Sequence, residues 1–562
     1  MSIPSHWSSP NVRHPENRII AVVLLVIVSL IAPLAAPAQT PEPDAAYRVT
    51  SCPFTLPVPE REGDTYECGT IAVPLDHADP FGSTIELMYS RLFATGPEIA
   101  PDPVLWLEGG PGASALAVAD INRLIAADVR RTRDIVLYDQ RGAGFSGYLE
   151  CGEYQSAAAT GRAAAGTPFP APPETDAGLA EVYEYAQSTA ALGFAECREA
   201  YADRGLDLIH FTTDAIARDS VLLLDAVGYE QATLWGTSYG GRVATVIMRQ
   251  APERVRAAVL DSPLPLGLRR LERFATLETE PAANLFAWCA ADPACSASYP
   301  NLEARTLAVI AGLDASPIPI DHTLAVSAGL TDELDGRAVA RILTATLPLK
   351  PEIAGTIPRA IADLEAGDPT VAQMILSGAF PPTIEREIPP TLTESSFAFL
   401  DAPTDARLAL SLAMRTAVLC NDEADVTLAG IAAEELESAP SPLRGPVPVR
   451  SAITLYAQCR ALDTGAEALD PAQPSTSIPV LVLGGSYDAT TAPSWAEEAA
   501  DALPNARFVL IPGAGHATAR WSPCARDLID GFIADPASIM DTGCLAADHP
   551  PLLLPDDAIP DE

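Results

Sequence analysis

Lysine is almost missing from this chain: Lys350 stands alone, so nearly all of the 35 basic side chains are arginines. Against them stand 74 acidic residues, for a formal charge of −39. A nucleic-acid binder needs a basic footprint, so that class is excluded as a leading reading. The acidic excess reads as a solvated surface that keeps the protein soluble. Aromatic residues are few, at 6%, but 48% of the chain is hydrophobic and 19% charged, which excludes a disordered or collagen-like polymer. Its 562 residues suffice for one large domain or several ordinary ones. The ten cysteines include no C-x-x-C pair and have no histidine cluster beside them, which disfavours zinc and thioredoxin-like chemistry. Long apolar runs are scarce too. The run Ile19–Ala32 has 14 residues, short of the roughly 20 that a bilayer span needs.

That run follows Arg13 and Arg18 and precedes Pro33 and the small-residue stretch Ala36-Pro37-Ala38. A positive start, a short apolar stretch and an A-x-A site make residues 1–38 a secretory signal peptide, and the expected location secreted or periplasmic, with no stable membrane association. An even number of cysteines fits disulfides in an oxidising compartment. Pairing of neighbours would join Cys52 to Cys68, Cys151 to Cys197, Cys289 to Cys295, Cys420 to Cys459 and Cys524 to Cys544.

The mature chain opens with two strand patterns, Thr70–Leu75 and Ile85–Leu92, around the turn Asp79-Pro80-Phe81-Gly82. Short, wholly apolar runs follow at Val104–Leu107, Ile135–Tyr138, Ala232–Trp235, Ala257–Leu260, Val480–Leu483 and Phe508–Ile511. Strands buried on both faces look like this in a parallel sheet covered by helices. Helical patterns alternate with them at Ala113–Arg131, Ala180–Arg204, Ala215–Val227, Gly240–Gln250, Pro493–Leu503 and Cys524–Ile533. The fold class is therefore α/β, a doubly wound, mostly parallel sheet. The rhythm stops after about Pro263 and resumes at Ile478. The expected organisation is a core over 39–265, a mostly helical insertion over 266–477 and a second core segment over 478–547. Gly152–Asp176 reads as a surface loop, and 548–562 as a frayed acidic tail.

Gly236-Thr237-Ser238-Tyr239-Gly240 falls between an apolar strand and a helical pattern, which is the setting that G-x-S-x-G requires. The sharp turn exposes the Ser238 hydroxyl, and small flanking residues avoid collision. A neutral serine needs a base within reach and an acid to orient that base. His516, in Pro512-Gly513-Ala514-Gly515-His516 after the last apolar strand, is the best placed of seven histidines. Asp488 follows the strand Val480–Leu483 and completes the order Ser, Asp, His expected of α/β-hydrolases. Oxyanion donors are expected from the backbone of Tyr239 and of Gly110, with Gly112 in reserve, in the loop Glu108-Gly109-Gly110-Pro111-Gly112.

Together with Asp139-Gln140-Arg141-Gly142-Ala143-Gly144-Phe145-Ser146, these segments resemble the proline iminopeptidase/tripeptidyl aminopeptidase family of α/β-hydrolases. The resemblance implies a helical cap, or lid, and an exopeptidase that releases single residues or short peptides from a free N-terminus. In that family acidic cap groups hold the substrate ammonium, a role that points to Asp422 and Glu423 here. Glu108 and Tyr239 stand where the prolyl branch usually has His and Trp; the tyrosine, the secretion signal and the cysteines look more like the secreted tripeptidyl branch. The Asp139–Gly142 segment is expected to buttress the site through an arginine–carboxylate network.

The expected function is a secreted serine aminopeptidase acting on peptides with a free N-terminus, without cofactor or metal. Its base must be neutral, so activity should fail in acid. Two alternatives are an esterase or small-amide hydrolase with the same triad, and a non-catalytic binding protein on a hydrolase scaffold.

Overall fold

Alternation within the apolar runs decides the layers. Leu105, Leu107, Val136, Tyr138, Leu234, Leu260 and Val482 pack into one buried cluster, whereas their neighbours Val104, Trp106, Ile135, Leu137, Trp235, Val259 and Leu483 pack into another. Each strand thus feeds two cores, one on each face of a sheet. A computed structural model describes residues 47–152, 176–188, 191–320, 322, 332–378, 410–437 and 447–557. The expected signal peptide lies outside the described residues, as does most of the stretch read as a surface loop.

The sheet has nine strands: β1 (Tyr47–Thr50), β2 (Tyr66–Pro74), β3 (Thr84–Leu92), β4 (Val104–Leu107), β5 (Ile135–Tyr138), β6 (Ala232–Thr237), β7 (Val255–Asp261), β10 (Val480–Gly485) and β11 (Ala506–Ile511). Between them in the chain lies a two-residue pair, β8 (Ile318–Pro319) and β9 (Glu333–Leu334). The order across the large sheet is β1-β2-β3-β5-β4-β6-β7-β10-β11. β1, β2 and β3 run antiparallel, and β5-β4-β6-β7-β10-β11 are parallel. Helices α1 (Thr213–Val227), α2 (Tyr239–Gln250) and α5 (Pro493–Asp501) contribute to the first core, and α6 (Pro523–Ala534) to the second. Thr212 Oγ1 caps α1 by accepting from Ala215 N, and Gly228 ends it in the left-handed conformation.

Between β7 and β10 the chain is helical. The first long helix there, α3 (Phe274–Ala291), joins a buried cluster that runs on through Val309, Leu343, Ile361 and Ile375. Helix α4 (Leu412–Asp422) instead packs on the sheet-side core through Ala413, Met414 and Ala417. From Pro43 on, core and insertion form one compact unit. The five disulfides join the neighbouring cysteines as expected.

Three local readings need correction. The helix expected over Ala113–Arg131 is limited to Ala119–Ile125 with a 3-10 turn at Val129–Arg131. Asp139 is the reason, because its carboxylate accepts from Ser114 Oγ and Leu116 N and so bends the preceding segment around itself. The pattern at Ala180–Arg204 is two helices, Asp176–Ser188 and Phe194–Ala202, the second entered through Gly193 at a φ of 89°. The tail is not frayed as far as Asp557. Leu553 N donates to Gly355 O, Tyr299 Oη donates to Leu553 O, and His549 stacks on Trp288 with ring centroids 3.7 Å apart.

Candidate active site

Ser238 occupies the corner between β6 and α2 at φ 59° and ψ −122°, a strained conformation for a residue with a side chain. The end of β7 and the segment after it hold it there: Ser238 N donates to Asp261 O at 3.0 Å, and Leu264 N donates to Ser238 O at 2.9 Å. Glycine is required on both sides of this corner. A Cβ on Gly240 would lie 1.9 Å from Leu107 O, and one on Gly109 would lie 2.8 Å from Ser238 Cβ. The glycine-rich loop after β4 therefore backs directly on the serine. Tyr239 N is the first N–H of α2, one of those that a helix leaves without an internal acceptor. Gly109 N is already held by Glu108 Oε1 at 3.2 Å.

His516 follows β11, and its Nδ1 lies 2.8 Å from Asp488 Oδ2. Asp488 is fully buried after β10; its Oδ1 accepts from Thr490 N at 2.7 Å and Thr491 N at 2.9 Å, and Thr491 Oγ1 donates to Oδ2 at 3.0 Å. A carboxylate that only accepts fixes the proton on Nδ1, which leaves Nε2 with a free lone pair. The His516 loop is anchored beside the serine through β7. Asp261, whose carbonyl holds Ser238 N, accepts from Thr518 N and Oγ1, both at 2.7 Å. Ser262 Oγ accepts from Ala517 N at 3.1 Å, and Ser262 O accepts from Thr491 Oγ1 at 2.8 Å. Among the described residues no hydrogen bond holds the Ser238 hydroxyl, so the serine–histidine contact is not closed here; such contacts commonly tighten only around substrate. Asp261, Ser262 and Thr491 were not singled out from sequence, although an aspartate ending an apolar run was a usable signal.

Asp422 and Glu423 are placed otherwise than the resemblance implied. Both are buried, and all four carboxylate oxygens have partners. Asp422 accepts from Thr213 N at 3.1 Å and from Thr213 Oγ1. Glu423 accepts from Arg270 N at 3.0 Å and Leu271 N at 3.1 Å, with Arg242 Nη1 at 3.5 Å. Burial raises Asp422 to about 6 against the pull of Arg242, and it raises Glu423 as well. Thr213 Oγ1 lies 2.7 Å from Tyr239 Oη, so this network supports the residue after Ser238. In the Asp139–Gly142 segment, Arg141 meets Asp219 with two contacts of 2.7 Å, and Gln140 Nε2 donates to Glu108 O at 3.0 Å.

A serine at a strand–helix corner and a histidine–aspartate pair tied to the same sheet edge fit the α/β-hydrolase fold. The profile of the alpha/beta hydrolase fold matches residues 102–288, in agreement with the fold described above. A second profile, for TAP-like protein, matches residues 447–544. It is 30% identical over 200 residues to the tripeptidyl aminopeptidase of Streptomyces lividans, covering 35% of each protein. It is 27% identical over 292 residues to the serine protease Hip1 of Mycobacterium tuberculosis, covering 49% of this chain and 52% of that one. Over 84 residues it is 40% identical to carboxylesterase B of Mycobacterium tuberculosis, covering 15% of this chain and 16% of that one. The chain thus matches between about a third and a half of the length of the two peptidase relatives.

Proposed function

We propose that the protein is an exported serine aminopeptidase that removes short peptides or single residues from free N-termini, with residues 266–477 acting as a lid over the core. Ser238 attacks the scissile carbonyl, and His516 Nε2 takes its proton and returns it to the leaving amine. Asp488 holds the imidazole in the required tautomer and stabilises the imidazolium. The N–H groups of Tyr239 and Gly110 stabilise the oxyanion, and water then releases the acyl group. The observation that carries this reading is the His516–Asp488 pair at 2.8 Å, on a loop tied through Asp261 and Ser262 to the strand that holds Ser238. The peptide preference is supported by the TAP-like match and the two peptidase relatives, and export by five disulfides.

The test combines a fluorophosphonate label with a substrate panel. Wild-type protein should be labelled, and Ser238→Ala should not be, at unchanged melting temperature. Tripeptidyl and aminoacyl arylamides should be cleaved in preference to their N-blocked forms. The carboxylesterase match favours a second reading, an esterase with the same residues. Cleavage of simple esters with no gain from a free N-terminus would select it.

A further inference from the structure

Two arginines near this site make no direct ion pair or side-chain hydrogen bond among the described residues. Arg270 is only 8% exposed, and its Nε is buried with no hydrogen-bond partner. Glu423 takes the backbone N–H of Arg270 and not its guanidinium, whose Cζ rests 5.4 Å from the centre of the Phe274 ring. Burial, with the neighbouring charge of Arg415 adding to it, pushes this guanidinium down to about 9; the charges of Glu423 and Asp488 act in the opposite direction without reversing it. Arg415 is half-buried and, among the described residues, makes no side-chain hydrogen bond or ion pair. It lies in α4, whose entry rests on the oxyanion loop. Ser411 N donates to Gly112 O at 2.9 Å, and Leu410 Cδ1 sits 3.1 Å from where a Cβ on Gly110 would be.

Scarcity of acid does not explain these two orphans. In a chain with 74 carboxylates, Arg141 is matched to Asp219 at 2.7 Å and Arg130 to Glu60 at 2.5 Å. Glu280, also near Asp488, is taken by Ser494 N at 2.9 Å and Ser494 Oγ at 2.7 Å. A buried guanidinium without a direct ion pair is unfavourable, and a second, half-buried one whose charge adds to the effect makes it more so. Such local violations persist at sites where a ligand supplies the missing partner. Guanidinium forks match carboxylates in geometry as well as charge.

We propose that Arg270 and Arg415 form a carboxylate subsite beside Ser238, so that the enzyme favours substrates with an anionic group close to the scissile bond. This rests on Ser238 being the nucleophile. Two sources share the chemistry, an acidic side chain in the acyl part and the free C-terminus of a short leaving peptide, and they separate by substrate. One arm compares Ala-Ala-Glu with Ala-Ala-Gln arylamides. The other compares tetra-alanine with its C-terminal amide.

At least one arm should favour the charged member tenfold or more in kcat/KM. Arg270→Met and Arg415→Met should each cut that preference at least fivefold, with neutral substrates changing less than twofold, and Arg270→Lys should restore part of it. No preference in either arm, or an equal loss on charged and neutral substrates, overturns the proposal. Fluorophosphonate labelling separates the two failures: if Ser238 is not labelled, the catalytic reading falls. The subsite is then judged by calorimetric binding of Ala-Ala-Glu amide against Ala-Ala-Gln amide and of tri-alanine against its amide, under the same criteria. Arg270→Met removes an unpaired charge and should not lower the melting temperature, so a folding defect is recognisable.

Discussion

The Asp488 carboxylate receives His516 Nδ1, two backbone N–H groups and the Thr491 hydroxyl, and it is wholly removed from water. Replacing it with asparagine keeps the shape but allows the imidazole to settle with its proton on the wrong nitrogen. Asp488→Asn should therefore lower kcat by about 10³- to 10⁴-fold with KM little changed, as steady-state kinetics on the preferred arylamide would show. At this scale the sequence was informative about placement after a strand: Ser238 does stand at the β6–α2 corner, and Asp488 and His516 do meet at 2.8 Å. It was uninformative wherever a role depends on which charges are already paired. Asp422 and Glu423 looked like free carboxylates because Thr213 and Arg270, which occupy them, lie more than 150 residues away in the chain.

Among elements, the short helix after His516, Thr518–Trp521, is held at its start by Asp261. That carboxylate accepts from Thr518 N and Oγ1 and from Ala519 N at 3.1 Å, and Trp521 Nε1 donates back to His516 O at 2.7 Å. Asp261 does not face the reacting atoms; it is a positioning residue. Removing the clamp should let the imidazole drift, and misplacement by about 1 Å can cost 10²-fold in rate. Asp261→Ala should lower kcat by about 10- to 100-fold with little change in KM, and Asp261→Asn, which keeps one acceptor oxygen, should lose less. A KM effect as large as the kcat effect would contradict this. Elements of the parallel sheet were legible because both of their faces are apolar, and α1, α2, α5 and α6 because their apolar periodicity and bounding Thr, Gly and Pro residues agree. The helix expected from Ala113 was not, because Asp139, from another strand, captures the backbone donors that a helix would have used.

For the molecule as a whole, the acidic surplus and the buried carboxyls act together on stability. Burial lifts Asp139 to about 7 and Asp422 to about 6; Asp530 rises to about 7, by burial and by the charges of Asp128 and Asp527. Each of these groups loses its proton near pH 4 in the unfolded chain but keeps it to pH 6 or 7 when folded. Between those limits the native state binds more protons than the unfolded one, so their contribution to stability is present at the acid end and falls as pH rises. Repulsion within a chain of charge −39 grows in the same direction. Glu60 and Asp425 oppose this. Glu60 is held low by Arg130 and Thr65 despite its burial, and Asp425 is held low by Arg269, so both lose stabilising contacts in acid. The raised groups are the more deeply buried, and they should prevail. The denaturant midpoint should be higher at pH 5 than at pH 7.5 at equal salt, and added salt should raise the pH 7.5 value more than the pH 5 value. Asp139→Asn should flatten the slope, since one of the groups that takes up a proton is gone. A midpoint that climbs from pH 5 to pH 7.5 would mean that the arginine-paired carboxylates, and not the deeply buried ones with raised pKa, govern how this molecule responds to acid.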